Sequence, residues 1–511
     1  MNKSAGIAVG IIVVAGAAIT AAAWYTGSRL EGVLQTSLVQ ANQALQGVMP
    51  GAGLQLTSLE TGVFGSTAHY RFTYKGELKG EMRDVELLLV DEIDHGPFPL
   101  SRLKALKLMP VMAASNYRLE RNPLVDKWFE ATGGASPLVG QASIGYDESV
   151  EGTGKLLPFD SDLDAQTHLT LSGLEVTHSN TREAQRMKFD ARMDSLRMTA
   201  QESTTGPVDL AISGLQLSSD YSKGLQDLYL GASEVRIKQA QIAAQGKPPI
   251  TFRDFVENDS LQQEGDKVAA RMGYDIGMLG YDGKDVGALQ MIWSLKNLDG
   301  AALKSLGELY TAYAAQTQVK GQENAELSAE QKVRLQADLK RLLAAKPSVA
   351  LETLSLKTPH GESRFNLSLN LAQPDSFEQP ADRLAKQIIE KLDARLSVAK
   401  GSIGDLAALQ SDSSDPQAIA QEAAAATEMA SGMALATGMA TLQGEDLVSS
   451  LAYADGQVDF NGNRSSLQAF LDTFLGMAGA PAGVLPQGAD EDSGEEPDEP
   501  PYEDEAAPEA E

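Results

Sequence analysis

The sequence predicts an α+β fold: an N-terminal transmembrane helix, then an elongated antiparallel β-rich body built as a repeated hairpin meander, with packed C-terminal helices. Three observations predict it. Residues 5–25 form an uncharged apolar run. The hydrophobic period changes from helical to two near residue 54 and returns to two over long stretches of the chain. A strand-length motif recurs at an offset of 41 residues.

The apolar run, AGIAVGIIVVAGAAITAAAWY, has 21 residues. At about 1.5 Å per residue it reaches about 31 Å, the thickness of a bilayer core. Lys3 precedes it, while Trp24 and Tyr25 close it where amphipathic rings favour the interface. Positive charge ahead of the span keeps the N-terminus cytoplasmic and exports the rest. Ala21, Ala22 and Ala23 would also suit cleavage of a signal peptide before Trp24. The run is longer than a usual signal core, which favours a retained anchor, and both readings export the body.

Past the span, residues 28–47 read as a stalk helix, with Ser28 as cap and Leu30, Val33, Leu34, Leu38 and Leu45 at near-helical spacing. Three strands come next: LQLTSL, with Leu54, Leu56 and Ser58 expected on one face; AHYRFTYKG, with Tyr70, Phe72 and Tyr74 on one face; and VELLLVDEI. LKALKLMPVM continues the extended pattern. LTLSGLEVTHS at 169–179 matches LAISGLQLSSD at 210–220, and 187–198 falls on 228–239 at the same offset, so a hairpin repeats. Helical stripes are expected at 303–313, at 328–345 behind a Ser328–Gln331 capping box, and at 380–392 behind a second box, Ser376–Gln379. Strands VALETLSLKT and ESRFNLSLNL lie between the last two. Residues 416–442 are a small-residue helix, Asp455-Gly456 turns a last hairpin, and 464–476 close the fold as a helix. The divisions are 1–26 anchor, 27–50 stalk, 51–298 meander, 299–480 α+β part and 481–511 acidic tail.

Composition narrows the chemistry. The chain has no Cys and a net charge of −28. It therefore lacks thiol nucleophiles and Cys-ligated metals, and it repels nucleic acid. Residues 490–511 hold twelve carboxylates, four prolines and no cation, a composition that cannot offset the entropy of ordering. None of the five histidines has metal-ligand spacing, and no nucleophile elbow is present. Gly152-Thr153-Gly154-Lys155 is a phosphate-loop fragment without its other positions. Asp160, Asp162 and Asp164 begin like a calcium loop, but Ala165 and Leu171 stand where Gly and Glu are needed. The first reads as a chance match in a chain with 47 glycines and the second as a polar turn between strands. The expectation is no catalytic residue, no cofactor and no metal. Asp94 and His95 are adjacent, so they point to opposite faces and do not form a dyad; His95 is expected to hold the Gly-Pro turn through a backbone hydrogen bond.

Several stretches carry a resemblance: MNKS, AWYTG, GESRFNLSLNL, YADGQVDFNG and, most specifically, Asp94-His95-Gly96-Pro97-Phe98-Pro99-Leu100. The chain resembles the YdgA-like proteins of Gram-negative envelopes, over residues 1 to about 475. That resemblance implies an inner-membrane or periplasmic location and self-association, and supplies no catalytic residues. The expected function is a membrane-anchored, non-catalytic periplasmic scaffold or assembly factor, a homodimer with a lipid or envelope-protein partner. The alternative is a lipid-binding or lipid-transferring protein with an apolar sheet groove. The two differ in whether that apolar face is open or capped.

Overall fold

The computed structural model describes residues 51–477, apart from 63–64, 79–80, 96–97, 163–165, 203–205, 321–326 and 412, together with Leu38, Val39, Asn42, Leu45 and Met49. The expected span at 5–25 and the acidic tail lie outside the described residues. Among those described, no helix is long and apolar enough to cross a membrane.

The chain folds into one continuous antiparallel sheet in which almost every strand pairs with its neighbour in sequence. It opens with β1 (Ala52–Thr61), β2 (Gly65–Leu78), β3 (Glu81–His95), β4 (Ala113–Glu120), β5 (Leu138–Ile144) and β6 (Val150–Leu156). β7 (Phe159–Asp162) continues the line of β6, and β8 (Thr167–Leu171) with β9 (Leu174–Asn180) forms the next strand, broken at Ser172-Gly173. Six long strands come next: β10 (Arg186–Glu202), β11 (Gly206–Lys223), β12 (Tyr229–Ala244), β13 (Lys247–Glu264), β14 (Lys267–Tyr281) and β15 (Lys284–Leu298). The sheet passes without a break to β16 (Ser348–Thr358), β17 (Gly361–Leu371) and β18 (Ile389–Ala399). β18 pairs with β20 (Asp446–Ala454), which carries β19 (Thr441–Gln443) and leads to β21 (Gln457–Phe460) and β22 (Asn463–Ser466).

The 41-residue repeat has a spatial meaning: its two copies flank β10. Leu196 faces Leu171 on one side and Ile212 on the other, and Ala191 faces Val176 and Leu217. The same offset separates every such pair along β10. The repeat is therefore two equivalent strands clasping a third.

Each strand from β6/β7 to β14 also makes a step that strict alternation does not contain. Leu156 and Phe159, Leu171 and Leu174, Met193 and Leu196, and Ile212 and Leu215 are each three residues apart, yet all eight join one hydrophobic cluster. Residues three apart on a regular strand point to opposite faces. A kink lies between each pair, with Gly173 at φ +106°, Gly214 at +65° and, on β13, Asp254 at +52°. Every strand kinks at the same level, so the extra residue on one strand is matched by an extra residue on its neighbour. The Cα partners keep one register from Arg186↔Ser222 to Glu202↔Gly206.

The structure corrects several expectations. Ser58 leaves the face of Leu54 and Leu56, because a bulge at Thr57 brings Leu59 inward instead. LKALKLMPVM is not extended: it begins as a short helix, α1 (Leu100–Lys104), and no strand starts until β4. The helix expected over 380–392 stops at Ile388, after which Leu392, Ala394, Leu396 and Val398 alternate as β18. Ser376 and Gln379 bond each other's neighbourhood in a turn and cap nothing, since Pro380 begins that helix. The Ser328 box does form, and Asp455-Gly456 does turn a two-residue hairpin.

The helices pair with one another. Gly300–Lys320 packs on Ala329–Ala344, and Lys400–Leu409 packs on Pro416–Ala436 and leans on β15–β18. Both edges of the sheet are blunted. Asn42 accepts from the Leu54 N–H and donates to the Leu54 carbonyl on edge strand β1, and the far edge strand, β22, has four residues.

Gly173 tests the kink line. A Cβ there would sit 3.1 Å from the Leu156 carbonyl oxygen at a φ that L-residues avoid. Gly173→Val is expected to cost about 2–3 kcal/mol, read as a lower midpoint in equilibrium urea unfolding. Thr177→Val on β9, an exposed site away from the kink, is the control and should leave the midpoint nearly unchanged.

Candidate functional site

The motif at 94–100 ends β3. Asp94 turns away from His95: its Oδ2 accepts from the Ser101 N–H at 2.9 Å, holding the first turn of α1. His95 faces the other way and its Nε2 lies 3.1 Å from Ser66 Oγ, a side chain on β2; the turn backbone expected to bond it, at Gly96 and Pro97, lies outside the described residues. Pro99 is buried and Phe98 is 54% exposed. Gly96 and Pro97 lie outside the described residues, as does the side chain of Leu100. The arrangement launches an exposed segment and assembles no acid–base pair.

The remaining histidines serve separate local structures. His69 meets Glu120 at 3.1 Å, His168 bridges Asp160 and Asp162 across the β7–β8 hairpin, and His360 meets Asp405 at 2.6 Å. Asp164 lies outside the described residues. His178 is buried, and its ring lies over Gly152, where a Cβ would be 2.2 Å from Cε1. Tyr117 likewise covers Gly140, and its hydroxyl reaches Gly154. The glycines of Gly152-Thr153-Gly154-Lys155 thus give room to two rings, and Lys155 pairs with Glu175.

One buried carboxyl is not apparent from sequence. Asp91, on β3, is fully buried on the face shared by Tyr70, Leu89 and Tyr117. Its Oδ1 accepts from Ser115 Oγ at 2.6 Å, while Oδ2 and the Tyr70 hydroxyl find no hydrogen-bond partner among the described residues. Burial raises the carboxyl to about 7, against the opposing hydrogen bonds from Ser115 and Asn116. Burial also pushes Tyr117 up to about 12, with Asp91 adding to the rise. The only signal in the sequence is an Asp at the inward position between Leu89 and Ile93.

The largest feature is an apolar double row along the kinks. One row runs Leu156, Leu174, Met193, Leu215, Ile237, Phe255, Ile276, Leu289; the other runs Phe159, Leu171, Leu196, Ile212, Ala240, Phe252, Leu279. Cross-strand partners share a face. At about 4.8 Å per strand, eight strands make a track about 35 Å long. The opposite face is polar, as on β11 with Asp209, Ser213, Gln216, Ser218 and Asp220. Where the track meets the N-terminal part its residues are buried, with Leu38, Leu45 and Met49 of the stalk covering the neighbouring core. Between Ala200 and Val268 no described side chain is buried. Glu257 and Asp259 share the apolar face beside Tyr274; partial burial raises both carboxyls, and the charge of Asp259 adds to the rise at Glu257. Beyond β15 the face continues through Trp293, Leu351, Leu367, Ala394 and Leu451, and a shallow recess of about 390 Å³ is lined by the last four together with polar neighbours such as Asn366, Asp393 and Arg395.

The turn and the buried carboxyl are each open to test. Asp94→Ala should cost about 1 kcal/mol through the lost cap, whereas Phe98→Ala, at an exposed position, should stay within about 0.5 kcal/mol; thermal melts of both variants decide. Asp91 binds its proton more tightly folded than unfolded. Its burden on stability is absent below about pH 4, grows as pH rises toward 7, and is then complete at about 4 kcal/mol. Asp91→Asn should be more stable than wild type at pH 8 and should lose that slope, measured by urea unfolding at pH 5 and 8.

Comparison with known proteins places the chain. It is 26% identical to Protein YdgA of Escherichia coli (strain K12) over 505 residues, covering 95% of this chain and 98% of the relative. It is 22% identical to the uncharacterized protein YihF of the same organism over 485 residues, covering 91% and 97%. An uncharacterized Haemophilus influenzae protein is 25% identical over 158 residues, covering 30% of this chain and 41% of that protein. No solved structure matches. The sequence profile of the family described as "Bacterial protein of unknown function (DUF945)" matches residues 1–468, and the chain belongs to that family.

Proposed function

We propose that this protein is held in the inner membrane by residues 5–25, with its body in the periplasm, and that the body binds lipid acyl chains along the double apolar row. The observation that carries the reading is the absence of any buried side chain among the described residues from 201 to 267, on strands whose one face is apolar. Isolated apolar residues on a surface are ordinary, but a contiguous face beyond a few hundred Å² marks a binding site. The track is one to two side chains wide and about 35 Å long. A single leaflet's acyl chains occupy about 15 Å of a bilayer, so the track accommodates an extended chain along its length.

The scaffold reading has its own support in the same face, which a second copy of the chain could cover. The blunted edges make edge-to-edge pairing a poorer route to a dimer than face-to-face contact. One experiment separates them. Lipid extracted from the purified 27–480 fragment is identified by mass spectrometry, with the assembly state measured by sedimentation. Bound phospholipid that falls several-fold in Phe252→Asp and Phe255→Asp, with circular dichroism unchanged, supports acyl binding. A lipid-free dimer that those same substitutions dissociate eliminates it in favour of the scaffold.

A further inference from the structure

The segment between β3 and β4 has a composition unlike the rest of this acidic chain. No carboxylate occurs between Asp94 and Glu120, while Lys104 and Lys107 project exposed beside Arg102. Five large apolar side chains are exposed among them: Phe98, Leu103, Leu106 (84%), Leu108 (68%) and Met109 (75%). Leu106 is also held at φ +57°, where the turn closing α1 is satisfied by Leu106 N–H to the Leu103 carbonyl and Lys107 N–H to the Arg102 carbonyl. Glycine ordinarily takes that position, because Cβ disfavours it. A leucine there is unfavourable twice in water, through its backbone and through its exposure.

The surroundings support one kind of surface. The β5–β6 turn lies next to this segment, since Met112 N–H donates to the Ile144 carbonyl, and it offers the exposed ring of Tyr146. Its two carboxylates are engaged: Asp147 accepts from Ser149, and Glu148 pairs with Arg182. Exposed apolar side chains interleaved with lysines, with a tyrosine at the rim, match the boundary of a bilayer that carries anionic headgroups. The net charge of −28 does not forbid this, because charges more than about 8 Å away are screened at physiological salt while the local lysines act at contact.

We propose that residues 98–109 are a docking loop that seats on an anionic phospholipid surface, with Phe98, Leu106, Leu108 and Met109 entering the headgroup boundary and Lys104 and Lys107 meeting phosphates. The site is separate from the acyl track, so either can fail alone. The chain has no Cys, which permits single-site labelling of the full-length protein. Leu108→Cys and, at the β12–β13 turn on the opposite end of the sheet, Gln245→Cys carry a fluorophore in vesicles containing brominated lipid. The vesicles are either phosphatidylglycerol with phosphatidylcholine or phosphatidylcholine alone. The expected result is quenching at 108 at least about threefold stronger than at 245 in the anionic vesicles, reduced by Leu106→Asp and by Lys104→Glu with Lys107→Glu while melting is unchanged. Equal quenching at both positions overturns the docking loop. Quenching at 108 that is the same in neutral vesicles and indifferent to the lysine changes overturns the anionic surface. A label at 108 that becomes shielded only as protein is added at fixed lipid assigns the loop to a second copy and also overturns the proposal.

Discussion

A single-layer antiparallel sheet can keep one apolar face only if every strand agrees on which residues point inward. A one-residue slip exchanges the faces. In this protein a kink crosses the sheet from β6/β7 to β14, and the agreement survives because all these strands kink together. Glycine takes the left-handed backbone at 173 and 214 without a Cβ clash, Asp254 takes it on β13, and the register never shifts between β10 and β11. Everything else about the body depends on that line. It sets where the apolar side chains meet, where the strands bend, and why both copies of the 41-residue repeat carry Ser-Gly-Leu, at 172–174 and 213–215.

The two ends of the sheet treat the apolar face differently. Toward the N-terminus, Tyr70, Phe72, Leu89 and Ile93 form a closed core with the stalk residues Leu38 and Leu45. Tyr117 and His178 lie over glycines there, filling the space a Cβ would take. That closure isolates Asp91, whose carboxyl is then most stable neutral. Toward the middle, no described helix takes up the role of the stalk. Gly300–Lys320 and Ala329–Ala344 pack on one another, and the first of these helices starts against the sheet, with Gly300 beside Leu228 and Val268, and also touches β2. An open apolar face continuous with a closed core is the arrangement that supports a binding role for the middle strands.

The turn at Asp94–Leu100 acquires a positional role. Its polar members are occupied: Asp94 with the α1 backbone and His95 with Ser66. By fixing the end of β3 and the start of α1, they project a basic and apolar segment from the end of the sheet. Elsewhere His168 pairs with Asp160 and Asp162 across the β7–β8 hairpin and fastens those two strands.

Sequence alone determined the class of this protein. Alternation in AHYRFTYKG and ESRFNLSLNL, the Asp-Gly turn and the Ser328 box are local signals, and local signals are written in adjacent residues. The repeat at offset 41 was legible too, but not its meaning. Leu-Ser-Gly-Leu looks like a lapse in alternation until the neighbouring strands are seen to lapse at the same level, and that agreement exists only between strands. The boundary at Ile388 was misread because Leu384, Ile388 and Leu392 fit a helical step, while β17 and β20 offered Leu392 two strands to pair with. Asp91 could not be singled out, since burial depends on residues far along the chain that cover it. Whether the apolar face was open was likewise a tertiary decision: periodicity says which side chains share a face, and only packing says what lies over it.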